Sequence, residues 1–394
     1  MNSANQILKL AEKYSDYTAL NLSNLIKHKS LSCNERETAE ELKRMMVEAE
    51  FDEVFIDGLG NVIGRIGKGK KIIAIDGHID TVDAGNIENW SFDPFGGEIK
   101  NGYVQGRGSV DQSGGPASFV TAGKILKQIG LGNDATIYFV GSVMEEDCDG
   151  LCWKYIIEED KIKPDCVIIT EPTNLNIYRG HRGRMEIEVS FFGVSSHGSA
   201  PERGKNAIYD ASRVSLEIEK LNERLANDAF LGKGSVTISE IVSSSPSLCA
   251  VADYSKIHLD RRLTKGEDKE SSLNEVEEIV KGMKARIDLL NYKAKSYTGI
   301  EYAMEKYYPT WQIEESHPVI KKGVKAFTDL FGSKPIIDKW TFSTNGVVIN
   351  GIYGIPVIGF GPGNEILAHA PDEKVPIDHL IKASAFYAYY CSIK

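Results

Sequence analysis

No sustained cluster of lysine and arginine occurs in the chain. Asp and Glu outnumber Lys and Arg by 56 to 46, a formal net charge of -10. Neutralising a phosphate backbone needs basic side chains grouped together, so a nucleic-acid surface is excluded and a small substrate, zwitterionic or anionic, is left open. No apolar run approaches the ~20 residues that a membrane helix requires. The opening stretch M-N-S-A-N-Q-I-L-K-L lacks a basic segment followed by an apolar core, so the expected location is cytoplasmic. Cysteine is scarce: Cys33, Cys148, Cys152, Cys166, Cys249 and Cys391 are spread out, with no C-x-x-C and no dense spacing. They read as reduced core thiols and not as a disulfide framework. Internal repeats and low-complexity linkers are also absent. Gly106-Arg107-Gly108 does not continue as G-x-G-x-x-G, because Val110-Asp111 follows, and this sets aside a dinucleotide-binding dehydrogenase. What is present, 42% hydrophobic and 26% charged residues over 394 positions, is ordinary globular composition with length for roughly two domains.

Two kinds of pattern follow one another along the chain. Up to about Arg179, short apolar runs (Lys71 to Ile75, Thr136 to Val143, Asp165 to Ile169) alternate with segments of helical character such as Pro116 to Ile129. That alternation predicts an α/β fold with a mostly parallel sheet covered by helices. From about Arg184 the character changes: Met185, Ile187, Val189 and Phe191 alternate with Glu186, Glu188 and Ser190, the period of a strand with one wet face. An amphipathic segment (Asn206 to Leu225), two strand-like stretches (Ser235 to Val242, Lys256 to Leu263), a second amphipathic segment (Ser271 to Ile287) and a last strand near Tyr292 to Tyr297 complete the order β-α-β-β-α-β. This is a ferredoxin-like split unit. After about Thr310 the apolar runs return, Gly354 to Phe360 being the clearest strand. The predicted architecture is an α/β domain interrupted by a smaller one. Its boundaries are set at residues 1–181 and 300–394 for the larger domain and 182–299 for the insert.

The ends of the apolar runs carry the chemistry. The stretch I-D-G-H-I-D-T-V-D-A-G, from Ile75 to Gly85, places His78 and Asp80 two residues apart, on the same side of a strand where the sheet meets solvent. A lone histidine there is more often structural than a ligand, so the question is whether other strands end alike. They do. Thr136 to Val143 runs into Met144-Glu145-Glu146-Asp147, Asp165 to Ile169 runs into Thr170-Glu171-Pro172, and Gly354 to Phe360 leads through a glycine-rich turn to His369. Asp111 lies in a loop just before a helix, within reach of that edge. In open α/β sheets the ligand site lies beyond the carboxyl ends of the strands. Two histidines with three or four carboxylates and no cysteine form the ligand set of a hydrolytic metal centre, suited to Zn, Co or Mn. The count exceeds one tetrahedral ion; one shared carboxylate with two private ligands per ion accounts for a pair of ions ~3.5–4 Å apart.

The segments G-H-I-D-T-V-D, G-R-G-S-V-D-Q-S-G-G, M-E-E-D, T-E-P-T, S-S-H-G-S-A-P and G-P-G-N-E-I-L-A-H-A-P-D-E together resemble the M20 family of metallopeptidases and deacylases. That family includes acetylornithine deacetylase and succinyl-diaminopimelate desuccinylase. The match runs in order through nearly the whole chain. R-G-S-V-D-Q-S-G-G and S-L-C-A-V-A-D with L-D-R-R-L most resemble the selenium-metabolism-linked hydrolase subgroup.

The resemblance implies that His78 and Glu171 hold one metal, that Glu146 and His369 hold the other, and that Asp111 bridges both. It makes Asp80 the acceptor that fixes the free imidazole N–H of His78. It makes Glu145 the general base, taking a proton from a metal-bridging water and returning it to the leaving amine. Adjacent Glu145 and Glu146 would point opposite ways in a continuing strand, so a turn is expected to begin there. A cis peptide is implied between Asp111 and Gln112. His197, in S-S-H-G-S-A-P, corresponds to the oxyanion-stabilising histidine that reaches in from the partner of a homodimer formed through the inserted lid. Arg262 corresponds to a residue that grips the substrate carboxylate, its alternative being a lid salt bridge with Asp260 or Glu267.

The chain departs from the family pattern at Ser113, near Cys249 and at Asn345, where many relatives have lysine, asparagine and aspartate. None of these is a ligand, but all bear on the substrate pocket, and Cys249 is expected to be a buried thiol. His181 reads as structural at the domain junction, and His28, His258, His317 and His379 as surface or packing residues. The resulting expectation is a dinuclear hydrolase of a small amide, an N-acyl amino acid or a dipeptide, with no nucleic-acid or membrane partner. The alternative is a binding protein that keeps the fold without turnover.

Overall fold

A computed structural model describes residues 3–130 and 135–393. In chain order, the strands of its two main sheets are β1 (Glu53–Ile56), β2 (Val62–Gly67), β3 (Lys71–His78), β4 (Ala135–Ser142), β5 (Cys166–Ile169), β6 (Ile177–Tyr178), β7 (Gly183–Phe192), β8 (Ser235–Ser244), β9 (Tyr254–Leu263), β10 (Ala285–Leu289), β11 (Tyr307–Tyr308), β12 (Ile337–Asp338) and β13 (Val357–Gly359).

The larger sheet has the order β1-β2-β4-β3-β5-β13-β6-β12. Its centre is parallel: β3 pairs with β4 and β5, and β5 with β13. The margin β1-β2-β4 is antiparallel. Strand β3 is buried from Ile73 through His78, as expected of a near-continuous apolar run covered on both faces. Helix Gly114–Ile129 buries residues on nearly every side, including Phe119, Val120, Ile125 and Leu126, and helix Ile377–Ser392 lies against it. Each such fully buried side chain contributes about 1.5–3 kcal/mol. The helix starts where Ser109 to Ser113 turn the chain, so Asp111 stands just before the first helical turn.

The second sheet is antiparallel, in the order β8-β9-β7-β10, with β11 also pairing with β7. Met185, Ile187, Val189 and Phe191 are buried on one face beneath helices Ala207–Arg224 and Lys269–Val280. The opposite face carries charges paired across strands, such as Lys306 with Glu186 at 2.8 Å. These residues form a hydrophobic cluster separate from that of the larger sheet.

The β-α-β-β-α-β order is present, but its last two elements are shorter and earlier than expected. The second helix stops at Val280, not Ile287, because Lys281 leaves helical geometry and Gly282 follows at φ +80°. Ala285, Ile287 and Leu289 then alternate with Arg286 and Asp288 as the fourth strand, a pattern easily absorbed into a helical period. Of the segment Tyr292 to Tyr297, only Tyr292 is in a strand, the two-residue Asn291–Tyr292. The expected strand Gly354 to Phe360 contracts to Val357–Gly359, since Gly354 sits at φ +66° and Pro356 offers no N–H.

Candidate metal centre

Every acid and histidine singled out at a strand end arrives at one edge of the larger sheet. His78 is the last residue of β3. Glu145 and Glu146 follow β4, Glu171 follows β5, and His369 follows β13. Met144 takes φ +61°, so the chain leaves the strand direction just before the two glutamates, and His369 is itself at φ +59°. The Asp111–Gln112 peptide is cis. His78 and Asp80 are both fully buried and do not emerge into solvent, the strand ending at His78.

The distances are those of a single cluster. His78 Nε2 stands 3.0 Å from Asp111 Oδ1, 3.5 Å from Glu171 Oε1 and 3.8 Å from Glu145 Oε2. His369 Nε2 stands 3.2 Å from Asp111 Oδ2 and 3.0 Å from Glu146 Oε2. Asp111 thus presents one oxygen to each histidine. Burial opposes ionisation of Asp111, yet hydrogen bonds from His369 and His78 hold its carboxyl well below the usual range. Hydrogen bonds to Asp111 and Glu146 push His369 up to about 10. Burial disfavours charge on His78, but Glu171, Glu145 and Asp111 outweigh it and raise its pKa. Glu145 and Glu171 are driven far above the ordinary carboxyl value, first by burial and then by neighbouring carboxylates.

A cluster that raises the proton affinity of two imidazoles and two carboxyls is short of positive charge. Glu145 Oε1 and Glu171 Oε2 are buried without a hydrogen-bond partner among the described residues. Imidazole and carboxylate donors suit hard or borderline divalent ions, and ligand oxygens and nitrogens converge in two overlapping groups, His78-Glu145-Glu171 and His78-Asp111-Glu146. The residues therefore fit divalent cations.

The surrounding polar groups hold this edge in place. His78 Nδ1 donates to the main-chain carbonyl of Asp80 at 2.8 Å, whereas the carboxylate expected to accept it lies 3.6 Å away. The Asp80 carboxylate instead accepts from the backbone N–H groups of Glu145 (3.2 Å) and Glu146 (3.1 Å) and from the Ser32 hydroxyl (2.7 Å). Glu35, fully buried, accepts from Met144 N and Cys33 N, each at 3.0 Å. Burial and the Asp80 charge push Glu35 up to about 8. Arg107 and Glu373 form a buried ion pair at 2.5 Å, and Glu373 accepts from Val110 N and Asp111 N while Arg107 donates to the carbonyls of His369 and Ala370. Glu35 falls in no recognisable motif, and Arg107 and Glu373, although they stand inside G-R-G-S-V-D-Q-S-G-G and A-H-A-P-D-E, are not paired by anything in those segments. Only the proximity of Arg107 to Asp111 and of Glu373 to His369 in sequence hinted at them.

A cavity of about 330 Å³ opens on the cluster, lined by Asp111, Glu145, Glu146, Glu171 and His369 and, on the side of the smaller sheet, by Arg184 and Arg262. The Arg262 fork closes on Asp260 at 2.9 and 3.0 Å, the salt bridge given above as its alternative role. His197 does not line this cavity: it stands on a loop of the smaller sheet, Nδ1 2.7 Å from Ser199 Oγ. Cys249 is exposed and not buried, because it sits on the loop whose carbonyl receives Gly198 N–H. Asn345 is buried, donating to Asp76 Oδ2 (2.9 Å) and Ser142 Oγ (3.1 Å) while accepting from Gly150 N (2.8 Å). An aspartate there would set a second carboxylate against buried Asp76 and remove both donors. Ser113 is buried at the start of helix Gly114–Ile129. His28 lies 3.5 Å from Glu37, His258 pairs with Glu186, His317 caps a helix, and His379 accepts from Gly363 N.

His181 carries a pH prediction. Its Nδ1–H donates to the Arg182 carbonyl (2.8 Å), and Nε2 accepts from Trp311 Nε1 (2.7 Å) and Thr344 N (3.1 Å), an arrangement open only to the neutral ring. Burial lowers its pKa to about 4. A histidine with a depressed folded-state pKa contributes stability above its unfolded value near 6.5, and that stability is lost as pH falls toward the folded value. The loss amounts to about 3 kcal/mol between pH 6.5 and 4. Denaturant titrations at those two pH values are expected to show that part of the pH dependence missing from His181→Gln. An identical dependence in both proteins would remove the assignment.

Residues 74–392 match Peptidase family M20/M25/M40. The chain is 50% identical over 384 residues to an uncharacterised protein, YgeY, of Escherichia coli strain K12, covering 97% of this chain and 95% of that one. It is 32% identical over 191 residues to a probable succinyl-diaminopimelate desuccinylase of Staphylococcus epidermidis, covering 48% of this chain and 47% of that one. Among solved structures, a dinuclear metal-binding peptidase of the M20 family from Bacillus subtilis superposes with a TM-score of 0.69 at 15% identity, covering 97% of this chain and 98% of that one. Strand-end acids and histidines, matched residues and overall fold agree: the chain belongs to Peptidase family M20/M25/M40 and is a metal-binding, amide-hydrolysing enzyme.

Proposed function

We propose that the chain is a dinuclear hydrolase of a small amide, an N-acyl amino acid or a dipeptide-like molecule. In this reading His78 and Glu171 hold one divalent cation, Glu146 and His369 hold the other, and Asp111 serves both. Zinc is the first choice of ion, cobalt or manganese the alternatives. The observation that carries the reading is the division of the Asp111 carboxylate between two histidines beside the unpartnered buried oxygens of Glu145 and Glu171. Cations bound there would polarise a substrate carbonyl and make water a usable nucleophile near neutral pH.

Glu145 supplies the proton transfers. Its backbone N–H is tied to Asp80, which fixes the start of the side chain, and its free Oε1 is the atom that takes the proton and later returns it to the leaving amine.

His197 is assigned to the oxyanion of a neighbouring copy's reaction, in a homodimer built through the smaller sheet. Supporting this, the outer edge of β8 has no paired strand among the described residues, and Ile241, Val242, Leu248 and Tyr209 are exposed nearby. The domain division at residues 182–299 is part of the same reading, supported by the two separate hydrophobic clusters. So is a cytoplasmic location, with which six unpaired cysteines agree. Among the described residues no helix is long and apolar enough to cross a membrane.

The test is a screen of metal-loaded protein against N-acyl amino acids and dipeptides. Turnover of at least one member, abolished by chelation and restored by metal, is expected. Fully loaded protein that turns over none of them would contradict the proposal.

A further inference from the structure

The cavity wall facing the carboxylate cluster carries two guanidinium groups, and they are not equivalent. Arg184 on β7 and Arg262 on β9 are directly opposite one another in an antiparallel pair, so both project from the charged face of the smaller sheet. Arg262 has spent its fork on Asp260, at 2.9 and 3.0 Å. Arg184 has not. Its nearest carboxylate oxygens, Asp149 Oδ2 at 3.7 Å and Glu186 Oε1 at 3.9 Å, are beyond hydrogen-bonding reach. Both acids have other donors, Asp149 the Ser343 hydroxyl and Glu186 the Lys306 ammonium. Arg184 Nε is buried without a hydrogen-bond partner among the described residues. The guanidinium lies over the Tyr308 ring, 4.7 Å from its centre, and the Tyr308 hydroxyl is engaged with Cys148.

A mostly buried guanidinium held over an aromatic ring, with unused donors, at the rim of a cavity otherwise crowded with carboxylates, is built to receive an anion. Resting on the hydrolytic reading above, we propose that Arg184 is a specificity-determining residue that binds a carboxylate of the substrate, and that the substrate class is an anionic amide. Arg184 draws that group to the wall opposite the metal cluster. The amide is thereby turned toward Glu145. The carboxylate belongs either to the amine half, as in an N-acyl amino acid, or to the acyl half, as in an N-succinyl compound.

The experiment measures kcat/KM of the metal-loaded enzyme for N-acetyl and N-succinyl amino acids, each as the free acid and as its C-terminal amide. Losing a hydrogen-bonded charge partner costs about 10- to 100-fold in affinity. In Arg184→Gln the free-acid over amide preference is expected to fall by that factor, chiefly through KM, if the carboxylate lies on the amine half. If it lies on the acyl half, the N-succinyl over N-acetyl preference falls instead. In Arg184→Lys the same ratio falls by less. Unchanged ratios overturn the proposal even where absolute rates drop, because a merely structural arginine lowers all substrates together. Should Arg184→Gln not fold, the Arg184→Lys ratios decide alone.

Should the metal-loaded wild type hydrolyse nothing, the hydrolytic reading fails on its own. Glutarate then decides the role of Arg184. A rise of the thermal midpoint with glutarate in the wild type and a smaller rise in Arg184→Lys support it, and equal shifts overturn it.

Discussion

Glu145→Gln is expected to lower kcat by about 10²- to 10⁴-fold, the range over which a positioned general base contributes, while the bound metal stays at the wild-type level. Glutamine keeps the volume of the side chain and its amide reaches the same place, but it has no carboxylate to accept a proton. The carboxylate in question is buried, tied at its backbone to Asp80, and has one oxygen without a partner among the described residues. The geometry also holds a competing possibility, since Glu145 Oε2 lies 3.8 Å from His78 Nε2 and belongs to one of the two convergent donor groups. Turnover and metal content, measured on the same preparation, separate the roles. A base loses rate alone. A loss of one cation with the rate would make Glu145 a ligand, and a rate within a few-fold of wild type would remove it from the chemistry.

Arg107→Met is expected to destabilise the fold by about 3–5 kcal/mol, because it leaves a buried carboxylate without its counter-charge. Glu373 is fully buried, its partner Arg107 is 3% exposed, and the two meet at 2.5 Å. The pair joins two loops that each carry a proposed ligand. Glu373 accepts from Asp111 N at 3.0 Å, and Arg107 donates to the His369 carbonyl at 3.3 Å. Cation affinity is therefore expected to fall along with stability. Urea denaturation of the metal-free protein and a metal titration of the folded variant measure the two effects. A change below 1 kcal/mol with unaltered metal affinity would show that the pair supports neither loop.

The convergence of these acids and histidines could be read in advance because strand periodicity and the position of ligand sites in α/β sheets are both local rules. An acid or histidine just after an apolar run is delivered to one edge wherever the strands run parallel, as β3, β4, β5 and β13 do. The groups that hold the cluster obey no such rule. Glu35 reaches Met144 N across 109 residues, and Arg107 reaches Glu373 across 266, so their roles exist only in the folded chain. The family resemblance gives the Asp80 carboxylate to the imidazole. Two backbone N–H groups after β4 and a serine hydroxyl compete for it and take it, leaving the main-chain carbonyl to serve His78. In the smaller sheet, the alternation in Ala285 to Leu289 fits a helix face nearly as well as a strand, and one glycine at position φ +80° decides between them. Cys249 illustrates a different limit, since a thiol's burial follows from the loop it sits on and not from its own polarity.

Metal stoichiometry, measured by elemental analysis on the purified chain loaded with zinc and dialysed, tests the proposed ligand set most directly. Wild type is expected to retain about two equivalents, and Asp111→Asn, which weakens the carboxylate shared by both sites, about one or fewer. Fewer than one equivalent in the wild type, with His78, Asp111, Glu146, Glu171 and His369 all intact, would contradict the dinuclear centre.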